Sequence, residues 1–158
     1  MTPRKRQPRH NPKPGMTKID FHTNVSDKIA YTCRLVRKAL ATSANSRIVI
    51  LTNGPAQLAS LDETLWTFSD TDFLPHAVIT EPLAQKSPVI LTDSDTADLP
   101  HHHILINLAS AIPTGFAQFE RMIEVVSTDS DDMEAGRQRF GHYRQRGYTL
   151  THSAAKKT

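Results

Sequence analysis

Near its C-terminus the sequence gathers Arg137, Arg139, Arg144 and Arg146 around Phe140 and Tyr143. Guanidinium groups pair carboxylates through two parallel hydrogen bonds, and aromatic rings bury apolar surface. Residues of these types at this spacing suit recognition of a partner that offers both a carboxylate and an apolar side chain. The stretch that must hold them, Asp131 to Leu150 (DDMEAGRQRFGHYRQRGYTL), reads as one amphipathic helix. Asp131 suits the N-cap, Glu134 takes the reciprocal place of a capping box, and Gly147 suits the left-handed position after the last turn. At about 100° per residue, Met133, Arg137, Phe140 and Arg144 fall within about 60° of one another. Arg139 and Arg146 point to a different side. A competing reading is a terminal helix that packs Met133, Phe140 and Tyr143 on a core and leaves its arginines in water.

Other polar groups make weaker constellations. His101, His102 and His103 are consecutive and have no second ligand pair at helical spacing, so they read as a solvated loop tip rather than a metal site. Asp93, Asp95 and Asp98 lack the glycine and distal glutamate of a calcium loop. The acids from Asp129 to Asp132 fit the positive end of a helix dipole. Cys33 lies on an apolar stripe, as a structural thiol does. The turns after the first two strands read HTNVSDK and LTNGPAQLAS, and neither arranges backbone donors for a pyrophosphate. No catalytic residue, cofactor site or metal site is expected. Two aromatic side chains stand out instead: Trp66 at the end of LDETLW, and Phe73 in FLPH, each either a core anchor or a partner contact.

Composition sets the frame around these residues. A chain of 158 residues suffices for one domain with a real core. Its net charge of +3 is uneven, because Arg4, Lys5, Arg6, Arg9 and Lys13 sit in a proline-rich segment without acids. Beyond residue 15 the remaining 14 basic residues face 16 acidic ones, a near-neutral body that does not advertise a phosphate-binding surface. Residues 1–15 are expected to be a disordered basic tail, with Met16 as an alternative start, and residues 151–158 to be frayed. A single cysteine, no long apolar run and no apolar leader fit a cytoplasmic protein.

Between the two ends, strand and helix patterns alternate. Ile19 and Phe21 alternate with polar residues in a first strand. Ser26 or Asp27 then caps a helix to about Thr42, with Ile29, Cys33, Val36 and Leu40 on one stripe. Arg47 to Leu51 is a short apolar run, as in a central parallel strand, and Leu58, Leu61 and Leu65 mark a second helix. Thr67 to Lys86 is irregular. Val89–Leu91, Ile104–Leu108 and Met122–Val126 read as three further strands, and Tyr148–Leu150 as extended chain. This order predicts one α/β domain over 16–150, three-layered, with a mostly parallel central sheet and a C-terminal arginine-rich helix.

The motifs also come in a telling sequence: DFH in the first strand, a buried second strand, LDETLW, FLPH, ILINL and GRQRFGHYRQRGYTL. In that order over one domain they resemble the chi-subunit family of the bacterial DNA polymerase III holoenzyme. The resemblance implies a Rossmann-like domain without enzymatic activity, acting as an adaptor in DNA replication. It implies two partners: the psi subunit, which tethers chi to the clamp loader, and the acidic, phenylalanine-ended C-terminal tail of single-stranded DNA-binding protein. Carried over residue by residue, the tail site involves Trp66, Val126, Arg137 and Phe140 with Gly141 alongside. The psi contact centres on Phe73, with Leu74, Pro75 and His76 around it. Met133 and Gly141 stand where family members can carry lysines facing the tail's aspartates, which leaves Arg144 as the substitute. The alternative function is a nucleotide- or small-molecule-binding α/β enzyme. Direct contact with nucleic acid is expected to be weak or indirect, through the basic tail and the arginines.

Overall fold

A computed structural model describes residues 16–69 and 73–156. The expected disorder of residues 1–15 lies outside the described residues. The elements run β1 (Lys18–Val25), α1 (Lys28–Thr42), β2 (Ile48–Leu51), α2 (Pro55–Thr67), β3 (Ala77–Val78), β4 (Val89–Thr92), β5 (Ile104–Asn107), β6 (Arg121–Ser127), α3 (Ser130–Gln145) and β7 (Leu150–Ala154). Short 3-10 turns at Pro82–Lys86 and Phe116–Gln118 interrupt the longer loops.

The strands form one sheet in the order β3-β4-β2-β5-β6-β1-β7, and every neighbouring pair is parallel. Such a sheet needs cover on both faces. The apolar runs of β2, β4 and β5 follow from that, since all four residues of each are buried. Side chains of successive strand residues point to opposite faces. Thus Ile48 and Ile50 join the core under α1 and α2 with Cys33, Val36, Leu61 and Leu65, while Val49 and Leu51 join the core on the other face. That second face is covered by α3 over β6 and β1, and by the loops that carry Leu99, Ile112, Phe116 and Phe119 elsewhere.

The structure extends the expected sheet at both edges. The two-residue β3 falls inside the stretch read as irregular, too short to show any periodicity. At the other edge, the end expected to fray from residue 151 is instead β7, in register with β1 from Ile19 opposite Leu150 to Thr23 opposite Ala154. Its sequence, LTHSA, carries almost no burial signal because its side chains are largely exposed. Backbone pairing and polar ties hold it: Thr151 donates to Asp20, the Thr23 hydroxyl meets the His152 ring at 2.7 Å, and the Ala155 amide donates to Thr23.

The ends of α3 are set by local chemistry. Its N-cap is Asp129 rather than Asp131, with the Asp129 carboxylate accepting from the Asp131 amide. Asp131 and Asp132 lie in the first turn, where negative charge meets the helix dipole. Asp132, not Glu134, reaches back across the corner to accept from the Ser127 amide at 2.7 Å, and it pairs with Lys28 at 3.0 Å. The C-terminus closes as expected. Gly147 has φ +82°, its amide donates to Arg144 and that of Tyr148 to Tyr143, the paired bonds of a left-handed glycine cap.

Candidate functional site

The face of α3 against the sheet consists of Gly136, Arg139 and Tyr143, spaced at three and four residues, not of Met133, Phe140 and Tyr143. Arg139 is only 2% exposed, so one of the four arginines belongs to the interior. It meets Glu124, fully buried in the middle of β6 between Met122 and Val126. The Glu124 carboxylate accepts from Arg139 Nε at 3.1 Å, Asn107 Nδ2 at 3.0 Å and the Tyr143 hydroxyl at 2.6 Å. Arg139 Nη1 donates in addition to the Ser110 carbonyl. Burial pushes the Glu124 carboxyl up, while Arg139, Tyr143 and Asn107 pull it down without cancelling the rise. The network locks α3 to β6 and β5. Sequence reasoning missed it because RMIEVVS reads as a strand with a wet face; the one available signal was a lone acid within an otherwise apolar run.

With the helix pinned this way, its flank opens a cavity of about 340 Å³ against β1, β6 and β7. Phe21, Val126, Met133, Gly136, Phe140 and His152 supply most of the wall, with Arg137 among them. Phe140 meets Phe21 edge to face at 5.0 Å. Arg137 is exposed and carries an ion pair with Glu134 at 2.7 Å. Of the residues expected at the tail site, Val126, Arg137 and Phe140 therefore come together. Gly141 and Arg144 lie further along α3 and do not line the cavity. Trp66 does not line the cavity, and α2, which carries it, packs on the opposite face of the sheet.

Gly136 and His152 escaped the sequence reading, which placed Phe21 in the first strand without linking it to the site. A glycine inside a helix costs about 1 kcal/mol relative to alanine, and for Gly136 that oddity was the available signal. A Cβ at Gly136 would stand 2.9 Å and 3.0 Å from the two γ-methyls of Val126, so only glycine allows this approach of helix to strand. Gly136→Ala is expected to lift α3, with net destabilisation of about 1–2 kcal/mol after the propensity gain. Adding Val126→Ala should recover part of the loss in thermal unfolding. If the single variant is as stable as its parent, the close contact is not limiting.

The second aromatic feature lies at the other side of the sheet. Trp66 is 55% exposed and Phe73 70%, with ring centroids 5.6 Å apart. Trp66 also packs on His76 at 4.5 Å. The His76 ring bridges the Leu74 carbonyl at 2.7 Å and the Asp62 carboxylate at 3.0 Å. Leu74 and His76 are buried, so they hold the loop onto α2 while Phe73 and Trp66 form its surface, with Pro75 half-buried beside them.

The remaining polar candidates are occupied structurally. The three histidines turn apart: His101 bonds the Ser87 carbonyl, His102 packs on Phe119, and His103 accepts from the Arg47 amide. Among the described residues no group of three His, Cys, Asp or Glu side chains could hold a metal ion. Cys33 is buried in the α1 core, which pushes its thiol up to about 11. No helix of the described residues is long and apolar enough to cross a membrane.

An all-parallel sheet between two covering layers, with an apolar cavity on one side and an exposed aromatic pair on the other, defines a Rossmann-like α/β domain. The chain belongs to the DNA polymerase III chi subunit family: the family model described as DNA polymerase III chi subunit, HolC, matches residues 16–151. It is 30% identical over 139 residues to the DNA polymerase III subunit chi of Pseudomonas aeruginosa, covering 85% of this chain and 94% of that relative. It is 26% identical over 108 residues to the DNA polymerase III subunit chi of Haemophilus influenzae, covering 68% and 75% respectively. Membership places the chain with DNA polymerase III in DNA replication.

Proposed function

We propose that the chain is a non-catalytic adaptor whose α3 cavity binds the C-terminal tail of single-stranded DNA-binding protein and whose Trp66–Phe73 surface binds the psi subunit. The observation that carries the reading is the cavity itself. An apolar recess floored by Val126 and Phe140 fits a phenylalanine ring, and the Arg137 guanidinium beside it can donate to the terminal carboxylate. The central sheet separates the two surfaces, which allows both partners at once and links the tail, through psi, to the clamp loader. The contact of its ring with Phe73 supports assigning Trp66 to the psi surface rather than to the tail site. Titration with a short acidic peptide ending in phenylalanine tests the tail site. Saturable binding that is lost when the peptide's carboxylate is amidated supports it, and absence of saturation removes it.

The ion pair between Glu134 and Arg137 adds a finer expectation. Both groups are exposed, so the pair is worth roughly 0.2–1 kcal/mol. A tail carboxylate has to compete with Glu134 for the same guanidinium. Glu134→Gln should therefore raise tail-peptide affinity about two- to fivefold, with the gain shrinking in high salt. Unchanged affinity at low salt would mean that the carboxylate does not contact Arg137.

A further inference from the structure

The two edges of the sheet are finished differently. At β3, Ile79 donates to Leu91, so the N–H and C=O of Val78 point away from the sheet. Both are taken: the Val78 amide donates to the Glu81 carboxylate at 2.6 Å, and the Val78 carbonyl accepts from the Glu81 amide at 2.8 Å. That edge is two residues long and closed. At β7, the Ile19 amide donates to Thr149 and the Ala155 amide to Thr23, which fixes the phase of the parallel ladder. Thr151 and Ser153 then turn their backbone groups to β1, and Leu150, His152 and Ala154 turn theirs outward. Among the described residues no hydrogen bond takes up these outward groups. The edge has no proline and no bulge to blunt it, and an edge of this kind is a template for another extended chain.

This open edge is continuous with the α3 cavity. His152 lies opposite Phe21 in the register and lines the cavity with Arg137. An extended chain laid beside β7 presents every second side chain to the α3 side of the sheet. Arg137 lines the shared cavity, and its exposed pair with Glu134 can give way to an acidic segment; the other nearby acid, Asp20, is already paired with Arg121. We infer that the acidic tail binds by strand addition: its backbone pairs with Leu150, His152 and Ala154 of β7 while its terminal phenylalanine turns into the cavity. The inference rests on the tail-binding reading above and says how the same site holds the residues upstream of the terminal one.

The test uses the intact chain, an acidic phenylalanine-ended peptide, and the same peptide with single N-methyl groups placed along its backbone. Ala154→Pro removes an outward N–H without breaking a bond to β1, and it should weaken the peptide at least fivefold while leaving the melting temperature within a few degrees. Independently of that variant's folding, N-methylation at alternate peptide positions should weaken binding and at the intervening positions should not. If the unmodified peptide does not bind, the tail site and the strand addition fall together. Should it bind with a flat N-methyl scan, the tail site stands and the strand addition is wrong. A parent chain that dimerises, with Ala154→Pro monomeric, assigns the edge to a second copy and also overturns the inference.

Discussion

Glu124→Ala is expected to be the most damaging single substitution in the domain, and the damage should exceed that of Arg139→Met. Removing the carboxylate takes the charge partner from a guanidinium that is 2% exposed and cannot shed its proton, and it takes an acceptor from Asn107 and from the buried Tyr143 hydroxyl as well. Breaking a buried pair in this way costs about 3–5 kcal/mol. For a domain of this size that is a fall in melting temperature of the order of 10 °C. Arg139→Met leaves a carboxyl that can take up a proton and keep Tyr143 and Asn107 as partners. Its loss should be smaller and should depend on pH. Burial already holds the Glu124 carboxyl above its ordinary range, and Arg139 is the foremost of the groups pulling it down. Without Arg139 the folded state retains a proton that an unfolded chain releases near pH 4.3. The unfolded state then binds fewer protons, so stability falls as pH rises through that window. Arg139→Met should be more stable near pH 5 than near pH 8, relative to its parent. A Glu124→Ala protein that melts within about 2 °C of its parent would show that the network does not set the stability of the α3–β6 contact.

What the sequence revealed and hid follows from how each element is held. The cores of β2, β4 and β5 were legible because strands covered on both faces must be continuously apolar. The stripe of α1 and the glycine cap of α3 were legible because helical spacing and a left-handed turn leave residue-level marks. By contrast, β7 is held by its backbone and a few polar ties, and LTHSA looks the same whether paired or frayed. Arg139 and Glu124 were hidden because charge is read as exposure until its partner is known. They are fifteen positions apart, on different elements. For the candidate site, local spacing placed Arg137 and Phe140 on one helix flank correctly. It could not show that Phe21 and His152 complete the wall, or that α2 carries Trp66 to the opposite face. Those facts depend on crossover direction and strand order, and no local window contains them.

That last point yields the sharpest functional expectation. Arg137→Ala removes the guanidinium proposed to hold the tail's terminal carboxylate. Charge-assisted bonds of this kind are worth about 1.5–3 kcal/mol, so tail-peptide affinity should fall at least tenfold. The melting temperature should barely move, because the side chain's ion pair among the described residues is an exposed contact with Glu134. Phe73→Ala should leave tail affinity intact and weaken capture of psi, again with little change in melting, because Phe73 is 70% exposed. Trp66→Ala decides which surface Trp66 serves. On the opposite face of the sheet from the cavity and 5.6 Å from the Phe73 ring, it should behave like Phe73→Ala and not like Arg137→Ala. Sites more than about 10 Å apart without shared partners behave additively. Arg137→Ala combined with Phe73→Ala should thus lose both partners by the sum of the single effects, while Trp66→Ala with Phe73→Ala should deviate from additivity, because those rings touch. Peptide titration, psi pull-down and thermal melting on this set separate the outcomes. A tail affinity that drops with Trp66→Ala as far as with Arg137→Ala would join the two surfaces into one and refute the arrangement proposed here.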